Sequence, residues 1–304
     1  NERSAEDLAG SFYGVGIELG YLENTLAVVA PIKDGPAEKL GVKAGDLIVH
    51  VKDSAKSLDE DTTGWSLDQA VKNIRGKRGT QITLTLVRTA EGDRKPFEVS
   101  ITRDEIIVKS VTLDFVEQSG KRVAHLKLSK FGERTMDEWD EAVKQIIAQR
   151  KQIAGIVLDL RNNPGGFFDT SIEVASDFVK KDVVVSQQGR VRSQNYSSNG
   201  KGRLSGIPLI VLVNRGSASA SEIVAGALRD DLGVKLVGEK TFGKGTVQDR
   251  RELSNGGGLH ITIGRWLLPK GSWIHKEGIP VDIEVKDDTQ TETDEVLTKA
   301  VESL

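Results

Sequence analysis

The fold of the longer part of this chain is decided by the stretch Gly155-Ile156-Val157-Leu158-Asp159-Leu160. Its apolar side chains follow one another almost without interruption, which is typical of a strand buried on both faces of a parallel sheet. Outward from this stretch, predicted strands at 123–128, 208–213 and 234–237 alternate with predicted helices from 135, over 169–180, after 219 and over 293–304. This alternation predicts a largely parallel sheet with helices on its faces.

The first part of the chain has a different pattern, in which short alternating strands surround one helix. The strands are predicted at 26–29, 47–51 and 82–87. Ser66 and Gln69 have the spacing of a capping box at the helix start, and Gly76 is expected to end the helix. Thr135 and Glu138 repeat the capping-box spacing in the second part. We therefore expect an α/β chain with an additional β-rich domain.

Composition narrows the range of functions. The 304 residues are 38% hydrophobic, enough for two domains, and the net charge of −3 without a long basic stretch argues against nucleic acid as a partner. No apolar run approaches the length of a membrane-spanning helix. The polar opening of the sequence has no export-signal pattern, which is expected either for a cytosolic protein or for a fragment whose signal has been removed. With no cysteine, and with four histidines that form no HExxH motif, we expect neither a metal nor another cofactor.

A candidate nucleophile lies in a small-residue turn between a predicted strand and a predicted helix. The turn contains Ser217, Ser219 and Ser221, and the sequence does not choose among them. A helix start offers unpaired backbone N–H groups that can stabilise an oxyanion. A serine-rich turn in this position is also an ordinary helix cap, and a serine needs a base before it can attack.

Two kinds of base are available in principle. None of the four histidines, at positions 50, 125, 260 and 275, has a recognisable aspartate constellation around it in the sequence. A lysine can serve instead if its ammonium is sheltered from water and loses its charge. Lys244 lies between Gly243 and Gly245, which allow the chain to bend and turn the lysine inward, although a lysine in an exposed turn has the same pattern.

Three motifs together resemble the carboxy-terminal processing peptidases, also called tail-specific proteases. They are DLRNNPGG at 159–166, GSASASE at 216–222 and TFGKGTVQ at 241–248, and the resemblance extends from about residue 13 to 285. It implies Ser219 as the nucleophile and Lys244 as the general base. Gln248 would hold the lysine amine by a hydrogen bond.

The same resemblance implies further residues of the active site. The backbone N–H groups of Gly166 and Ala220 would form the oxyanion hole. Structural roles in shaping the loop are implied for the remaining polar residues of the first motif, Asp159, Arg161, Asn162 and Asn163.

The first part of the chain resembles a PDZ domain, a module that binds peptide C-termini. Residues 13–19 are similar to its carboxylate-binding loop and to the strand that a peptide extends. Six groove residues are implied: Gly14, Val15, Gly16, Ile17, Val71 and Ile74. The segment 53–65 is longer than in compact relatives, and its role is left open.

The resemblance gives a complete set of expectations. The fold is a PDZ domain joined to a ClpP/crotonase-like catalytic core of mostly parallel sheet. Its expected parts are an N-terminal remnant at 1–11, the PDZ domain at 12–103, the Ser–Lys peptidase domain at 104–285 and a helical tail at 286–304.

The implied activity is that of a serine endopeptidase that binds unstructured substrate C-termini and cleaves upstream of them. A periplasmic or extracellular location in bacteria is implied as well, and a homo-oligomer or an adaptor partner stays open. The alternatives are an inactive peptide-binding scaffold of the same fold and a trypsin-like PDZ protease. The trypsin-like alternative would need a GNSGG-like loop, which is not visible.

Overall fold

A computed structural model describes residues 8–88, 95–180, 182–252, 258–286, 291 and 293–304 of the chain, with the backbone alone at 248–252, 258 and 260. Its contacts separate two compact units. The first is built from Ser11–Val108, and the second from Leu8–Gly10 together with Lys109–Leu304.

In its described residues, the first unit is a small β-rich domain with two α-helices. Its elements in chain order are β1 (Ser11–Gly14), β2 (Ile17–Leu22), β3 (Thr25–Pro31), α1 (Pro36–Lys39), β4 (Leu47–Asp53), β5 (Leu58–Asp61), α2 (Leu67–Ile74), β6 (Gln81–Val87), β7 (Pro96–Thr102) and β8 (Asp104–Ile107). The main sheet has the order β2-β3-β4-β6-β7, with β5 paired to β4, while β1 and β8 form a separate pair. Strand β2 therefore lies at an edge of the main sheet.

Helix α2 begins and packs as the sequence predicts. The Ser66 side chain accepts a hydrogen bond from the Gln69 backbone N–H at 3.2 Å, so Ser66 caps the helix. Ala70 and Ile74 are buried in the core of the unit. The helix ends at Ile74 because Arg75 has an extended backbone.

The second unit contains ten strands and four helices within the described residues. They are β9 (Val111–Gln118), β10 (Lys121–Leu128), α3 (Thr135–Ala148), β11 (Gly155–Asp159), α4 (Phe168–Ser176), β12 (Val183–Gly189), β13 (Ser193–Ser197), β14 (Leu209–Val213), α5 (Ala220–Leu232), β15 (Leu236–Gly238), β16 (Thr246–Glu252), β17 (Gly258–Leu267), β18 (Ile283–Glu284) and α6 (Glu295–Ser303).

The predicted parallel core is confirmed. The sheet has the order β18-β15-β14-β11-β10-β9, and each neighbouring pair is parallel except the antiparallel pair of β9 and β10. Every residue of β11 is buried. Leu158 packs with Trp139 of α3 on one face, and Val157 packs with Val301 of α6 on the other. Helices thus cover both faces of the sheet.

A second sheet is absent from the sequence-based prediction. Strands β13-β12-β17-β16 form a four-stranded antiparallel sheet that packs on the core through an aromatic contact. The ring of Trp266 stacks on Phe168 with centroids 4.3 Å apart. Many residues of this second sheet are polar or exposed, so their sequence pattern does not indicate buried strands.

The predicted capping box of α3 is wrong. Thr135 is the first helical residue rather than the cap, and its hydroxyl accepts from the Gly132 N–H at 2.8 Å. The Glu138 carboxylate accepts instead from the backbone N–H groups of Ser110 and Val111. These two residues therefore connect the helix to the start of β9.

Candidate active site

The turn after β14 separates the three candidate serines. The Ser217 hydroxyl donates to the Leu160 carbonyl at 2.8 Å, and the Ser221 hydroxyl donates to the Asn163 carbonyl at 2.8 Å. Both residues are fully buried. Their hydroxyls thus hold the turn against the loop that follows β11 and face no solvent.

Ser219 has a different environment. It is half-buried and has φ of 58°, in the left-handed region that non-glycine residues rarely adopt. It directly precedes α5, and its backbone N–H donates to a carboxylate oxygen of Glu222 at 2.8 Å. This strained backbone conformation distinguishes Ser219 from the other two serines, and such strain often marks functional sites.

The loop after β11 lies directly against Ser219. The Ala218 N–H donates to the Asn163 carbonyl at 3.0 Å. A side chain at Gly165 would place its Cβ 2.9 Å from the Ser219 Cβ and 3.0 Å from the Ala220 nitrogen, so only glycine allows this approach. Gly166 has φ of +142°, and a Cβ there would lie 2.0 Å from the Phe131 carbonyl oxygen.

Two backbone N–H groups at this junction point to an available anion site. Within the described part of the chain, neither the Gly166 N–H nor the Ala220 N–H has a hydrogen-bond partner. Both belong to segments that contact each other beside Ser219. Unpaired donors of this kind can bind an oxyanion.

The loop with Lys244 is fixed by its backbone. The Gly243 carbonyl accepts from the Lys276 N–H at 2.8 Å, and the Gly245 carbonyl accepts from the Trp273 indole N–H at 2.8 Å. A Cβ at Gly245 would lie 2.8 Å from the His275 nitrogen. The two glycines therefore allow the loop to pack closely on the segment that follows β17.

Glu222 joins the two segments, and the sequence analysis gave it no role. One carboxylate oxygen accepts from the Thr241 hydroxyl at 2.6 Å and the Gly243 N–H at 2.7 Å, and the other accepts from the N–H groups of Ser219 and Lys244, each at 2.8 Å. Glu222 is 0% exposed, so four hydrogen bonds compensate for its burial. One sequence feature could have indicated this role: Glu222 is a carboxylate at the third position of a helix whose other buried residues are small or apolar.

The solvent exposure of the Lys244 side chain differs from the expectation. Its residue is exposed, whereas a sheltered amine was expected between the two glycines. The glycines bring the backbone close to the neighbouring segment and leave the side chain in contact with solvent. Gln248 lies in β16 opposite Thr262, and its side chain falls outside the described part of the chain.

Two histidines do have aspartate partners, contrary to the sequence analysis. His50 in the first unit contacts Asp59 and Asp61, each at 2.8 Å. In the second unit the His125 Nε2 lies 3.0 Å from an Asp159 oxygen. The partners come from adjacent strands or from the end of a neighbouring strand, so the sequence spacing did not reveal them.

Asp159 belongs to a polar network at the carboxyl end of β11. Arg161 contacts both Asp159 and Asp294 at 2.7 Å. Burial disfavours the Asp159 charge, but the hydrogen bonds from His125 and Arg161 outweigh it and hold its pKa well below the usual range. Burial also opposes the Asp294 charge, and Arg161 again lowers the pKa. The network thus ties the loop after β11 to the start of α6.

The six predicted groove residues come together in the first unit. They line a cleft of about 180 Å³ between β2 and α2, together with Phe12, Leu19, Leu67 and Arg75. The carbonyls of Val15 and Gly16 accept from Ala37 and Ile32, but the N–H groups of Val15 and Gly16 have no partner among the described residues. The residues that line the cleft thus include apolar side chains and two residues whose backbone N–H groups have no partner among the described residues.

Within the described ranges, no group of three or more His, Cys, Asp or Glu side chains could hold a metal ion. None of the helices described is both long and apolar enough to cross a bilayer.

Two protein-family models match the sequence of this chain. The model of Peptidase family S41 matches residues 122–285, and the PDZ domain model matches residues 5–87. This chain therefore belongs to peptidase family S41, and the predicted fold class is confirmed.

Similar proteins carry names that agree with the resemblance found in the motifs. The chain is 34% identical to the carboxy-terminal processing protease CtpB of Bacillus subtilis, over 93% of this chain and 57% of that protein. It is 41% identical to the carboxy-terminal-processing protease of Bartonella bacilliformis, over 91% of this chain and 62% of that protein. The chain thus spans little more than half the length of these curated relatives.

A solved structure has the same fold over almost the whole chain. A photosystem II D1 C-terminal processing protease matches with a TM-score of 0.57 and 30% sequence identity, over 95% of this chain and 76% of that one. The family predicted from the three motifs is confirmed by these comparisons.

Proposed function

We propose that this chain is a serine endopeptidase that cleaves polypeptides by an acyl-enzyme mechanism with Ser219 as nucleophile and Lys244 as general base. The observation that carries the proposal is the hydrogen bonding of one buried carboxylate, Glu222, to the backbone of both residues. Residues 25 positions apart in the sequence are thereby held at one place in the fold. Ser217 and Ser221 are unsuited to attack because their hydroxyls are buried and engaged.

The proposed chemistry begins with transfer of the Ser219 hydroxyl proton to the neutral amine of Lys244. The hydroxyl oxygen bonds to the scissile carbonyl carbon, and the N–H groups of Gly166 and Ala220 stabilise the resulting oxyanion. The C–N bond breaks as Lys244 returns the proton to the leaving amine. Water then attacks the acyl carbon while Lys244 accepts a proton from it, and the ester bond to Ser219 breaks as Lys244 returns that proton to the Ser219 oxygen.

Because Lys244 is exposed, we propose that the bound substrate helps to shelter its amine from water. A lysine accepts a proton only when it is neutral, and removal of water favours that form. Because the Lys244 side chain contacts solvent in this structure, we propose that a polypeptide bound across Ser219 covers the amine. In the same state Gln248 would hold the amine by a hydrogen bond.

For the first unit we propose capture of substrate C-termini. The unpaired N–H groups of Val15 and Gly16 would bind the terminal carboxylate, and the apolar wall with Val71 and Ile74 would bind the last side chain. The peptide would add to the free edge of β2. Substrates would be unstructured polypeptides with free C-termini, in the bacterial periplasm or outside the cell.

Cleavage of one unstructured polypeptide, with its C-terminus free or amidated, tests this proposal. The intact chain should cleave the free form with the lower KM, and Ser219→Ala should cleave neither form while still binding the free one. Binding without cleavage by the intact chain would favour an inactive peptide-binding scaffold. Cleavage by Ser219→Ala at the rate of the intact chain would contradict the assignment of the nucleophile.

A further inference from the structure

The carboxyl end of helix α2 is held in an unusual way. A helix leaves its last carbonyl groups without partners inside the helix, and a left-handed glycine often terminates it. Here Arg75 follows the helix in an extended conformation, with φ of −62° and ψ of 162°. The carbonyl groups of residues 72–75 therefore need hydrogen-bond donors from elsewhere in the unit.

Lys56 supplies most of these donors. Its ammonium donates to the carbonyl oxygens of Lys72 and Asn73, each at 2.8 Å, and also to that of Arg75. Partial burial of the ammonium and the neighbouring Arg103 guanidinium lower the pKa of Lys56, whose residue as a whole is exposed. A cation at a helix C-terminus also interacts favourably with the negative end of the helix dipole.

Arg103 supplies the remaining donor. Its Nε donates to the Ile74 carbonyl at 2.8 Å, and its fully buried side chain pairs with Asp53. A Cβ at Gly76 would lie 2.8 Å from the Arg103 guanidinium carbon, so glycine at this position makes room for Arg103. Lys56 and Arg103, which we call the helix clamp, thus bind four successive carbonyl groups.

Asp53 organises both members of the helix clamp. One carboxylate oxygen pairs with Arg103, and the other accepts from the N–H groups of Ala55 at 2.9 Å and Lys56 at 3.3 Å. Those bonds form the single 3-10 turn Ser54–Lys56 that presents Lys56. The turn belongs to the long 53–65 segment, whose role the sequence left open.

The helix clamp acts next to the candidate peptide groove. Ile74 and Arg75 both line the cleft, and the Arg75 guanidinium lies 4.0 Å from the centre of the Phe12 ring, another lining residue. Lys56 itself is not among the residues that line the cleft. Since Lys56 holds the Arg75 carbonyl, its loss would free the end of the groove helix.

We propose that Lys56 is a positioning residue for recognition of a peptide C-terminus. It would keep Ile74 and Arg75 where an apolar terminal residue can pack on them. The inference rests on the proposed peptide binding by the first unit and adds a residue that the family resemblance did not imply.

The test measures the affinity of a fluorescent peptide with a free carboxylate and an apolar last residue, using the full chain with Ser219→Ala to prevent cleavage. Lys56→Met should raise Kd about tenfold, because hydrogen bonds from a charged group to several carbonyls are lost but partly replaced by water. Lys56→Arg keeps a cationic donor and should restore most of the affinity. In the chain with Ser219 intact, the loss from Lys56→Met should appear in KM rather than in kcat.

Lys52→Met is the matched control. Lys52 is an exposed lysine of the adjoining strand β4 that pairs with Asp59 and makes no hydrogen bond to α2. Its substitution should leave the Kd within twofold of the parent. Equal Kd values for Lys56→Met and Lys52→Met would overturn the inference, and so would a kcat loss without a KM change. Failure of the parent chain itself to bind the peptide would instead overturn the proposed peptide capture.

Discussion

The candidate active site and the peptide groove each have a pair of backbone N–H groups without a partner among the described residues. They differ in what surrounds those donors. Apolar side chains such as Val71 and Ile74 border the pair at Val15 and Gly16. The donors at the candidate active site lie beside segments that the buried Glu222 carboxylate fixes.

This difference matches the two tasks proposed for the sites. An apolar groove can accept peptides of related shape, because burial of apolar surface has no direction. Attack on a carbonyl requires the nucleophile, base and oxyanion donors at defined distances, and small displacements slow it strongly. Substitutions in the peptide groove should therefore change KM, and those in the candidate active site should change kcat.

Lys244→Met should have the largest effect. It removes the proposed base while keeping a side chain of similar length, so kcat should fall about a thousandfold or more, by analogy with loss of a triad member. Steady-state cleavage of the unstructured polypeptide measures this effect. A cleavage rate for Lys244→Met close to that of the parent chain would be inconsistent with a lysine base.

Glu222→Gln should have the next largest effect. The amide nitrogen of glutamine would face backbone N–H groups from which a carboxylate oxygen now accepts hydrogen bonds. The segments of Ser219 and Lys244 would therefore move apart. A displacement on the order of 1 Å can reduce kcat about a hundredfold. Asp177→Asn is the control, since Asp177 is equally buried but pairs with Trp139 and Arg203. A similar kcat loss in both variants would show only a general effect of burial.

Val71→Ala should act on the groove alone. Val71 lines the cleft and is half-buried, so loss of two methyl groups removes apolar contact with the terminal side chain. At about 0.8 kcal/mol for each of the two buried groups, KM should rise by at most about fifteenfold, without a change in kcat. Michaelis–Menten analysis of the free and amidated substrates measures the split. A fall in kcat would remove the distinction between the two sites.

Asp294→Asn should have the smallest effect, on stability. Asparagine can still cap α6, where Asp294 accepts from the Leu297 N–H, but loses the ion pair with Arg161. Because the pair is partly exposed, we expect a loss of at most about 1 kcal/mol at neutral pH. The low pKa values of Asp159 and Asp294 mean that their stabilisation is complete above the ordinary carboxyl pKa of about 3.9 and disappears as the pH falls.

Thermal unfolding between about pH 2 and pH 7 checks this prediction. The parent chain should lose stability on acidification more steeply than Asp294→Asn. Parallel curves for the two proteins would show that the pair with Arg161 contributes no pH dependence.

The parallel core could be predicted from the sequence because its strands are continuously apolar. Strand β11 is buried at every residue, and such a run has few other interpretations. Strands β12 and β13 carry many polar residues and are only partly buried, so their pairing depends on contacts that sequence spacing does not display. Thr135 similarly has the type and spacing of a cap, but its hydroxyl donates to the Ser110 hydroxyl of another segment.

The sequence indicated which segments form the candidate site, but it indicated less about how their side chains are arranged. The resemblance indicated the segments of Ser219 and Lys244, but neither the position of Glu222 between them nor the exposure of Lys244 follows from residue spacing. Residue spacing alone left the three serines open, and the resemblance implied Ser219. The hydroxyls of Ser217 and Ser221 are recognised as structural only through their acceptors, which are carbonyls about 57 residues away in the chain.

Mass spectrometry of the chain after reaction with a serine-reactive acylating probe tests the central claim most directly. The account predicts a single adduct on the peptide containing residues 216–222, located at Ser219, that is absent in Ser219→Ala and forms much more slowly in Lys244→Met. An adduct at Ser217 or Ser221, or labelling of Lys244→Met at the parent rate, would contradict it.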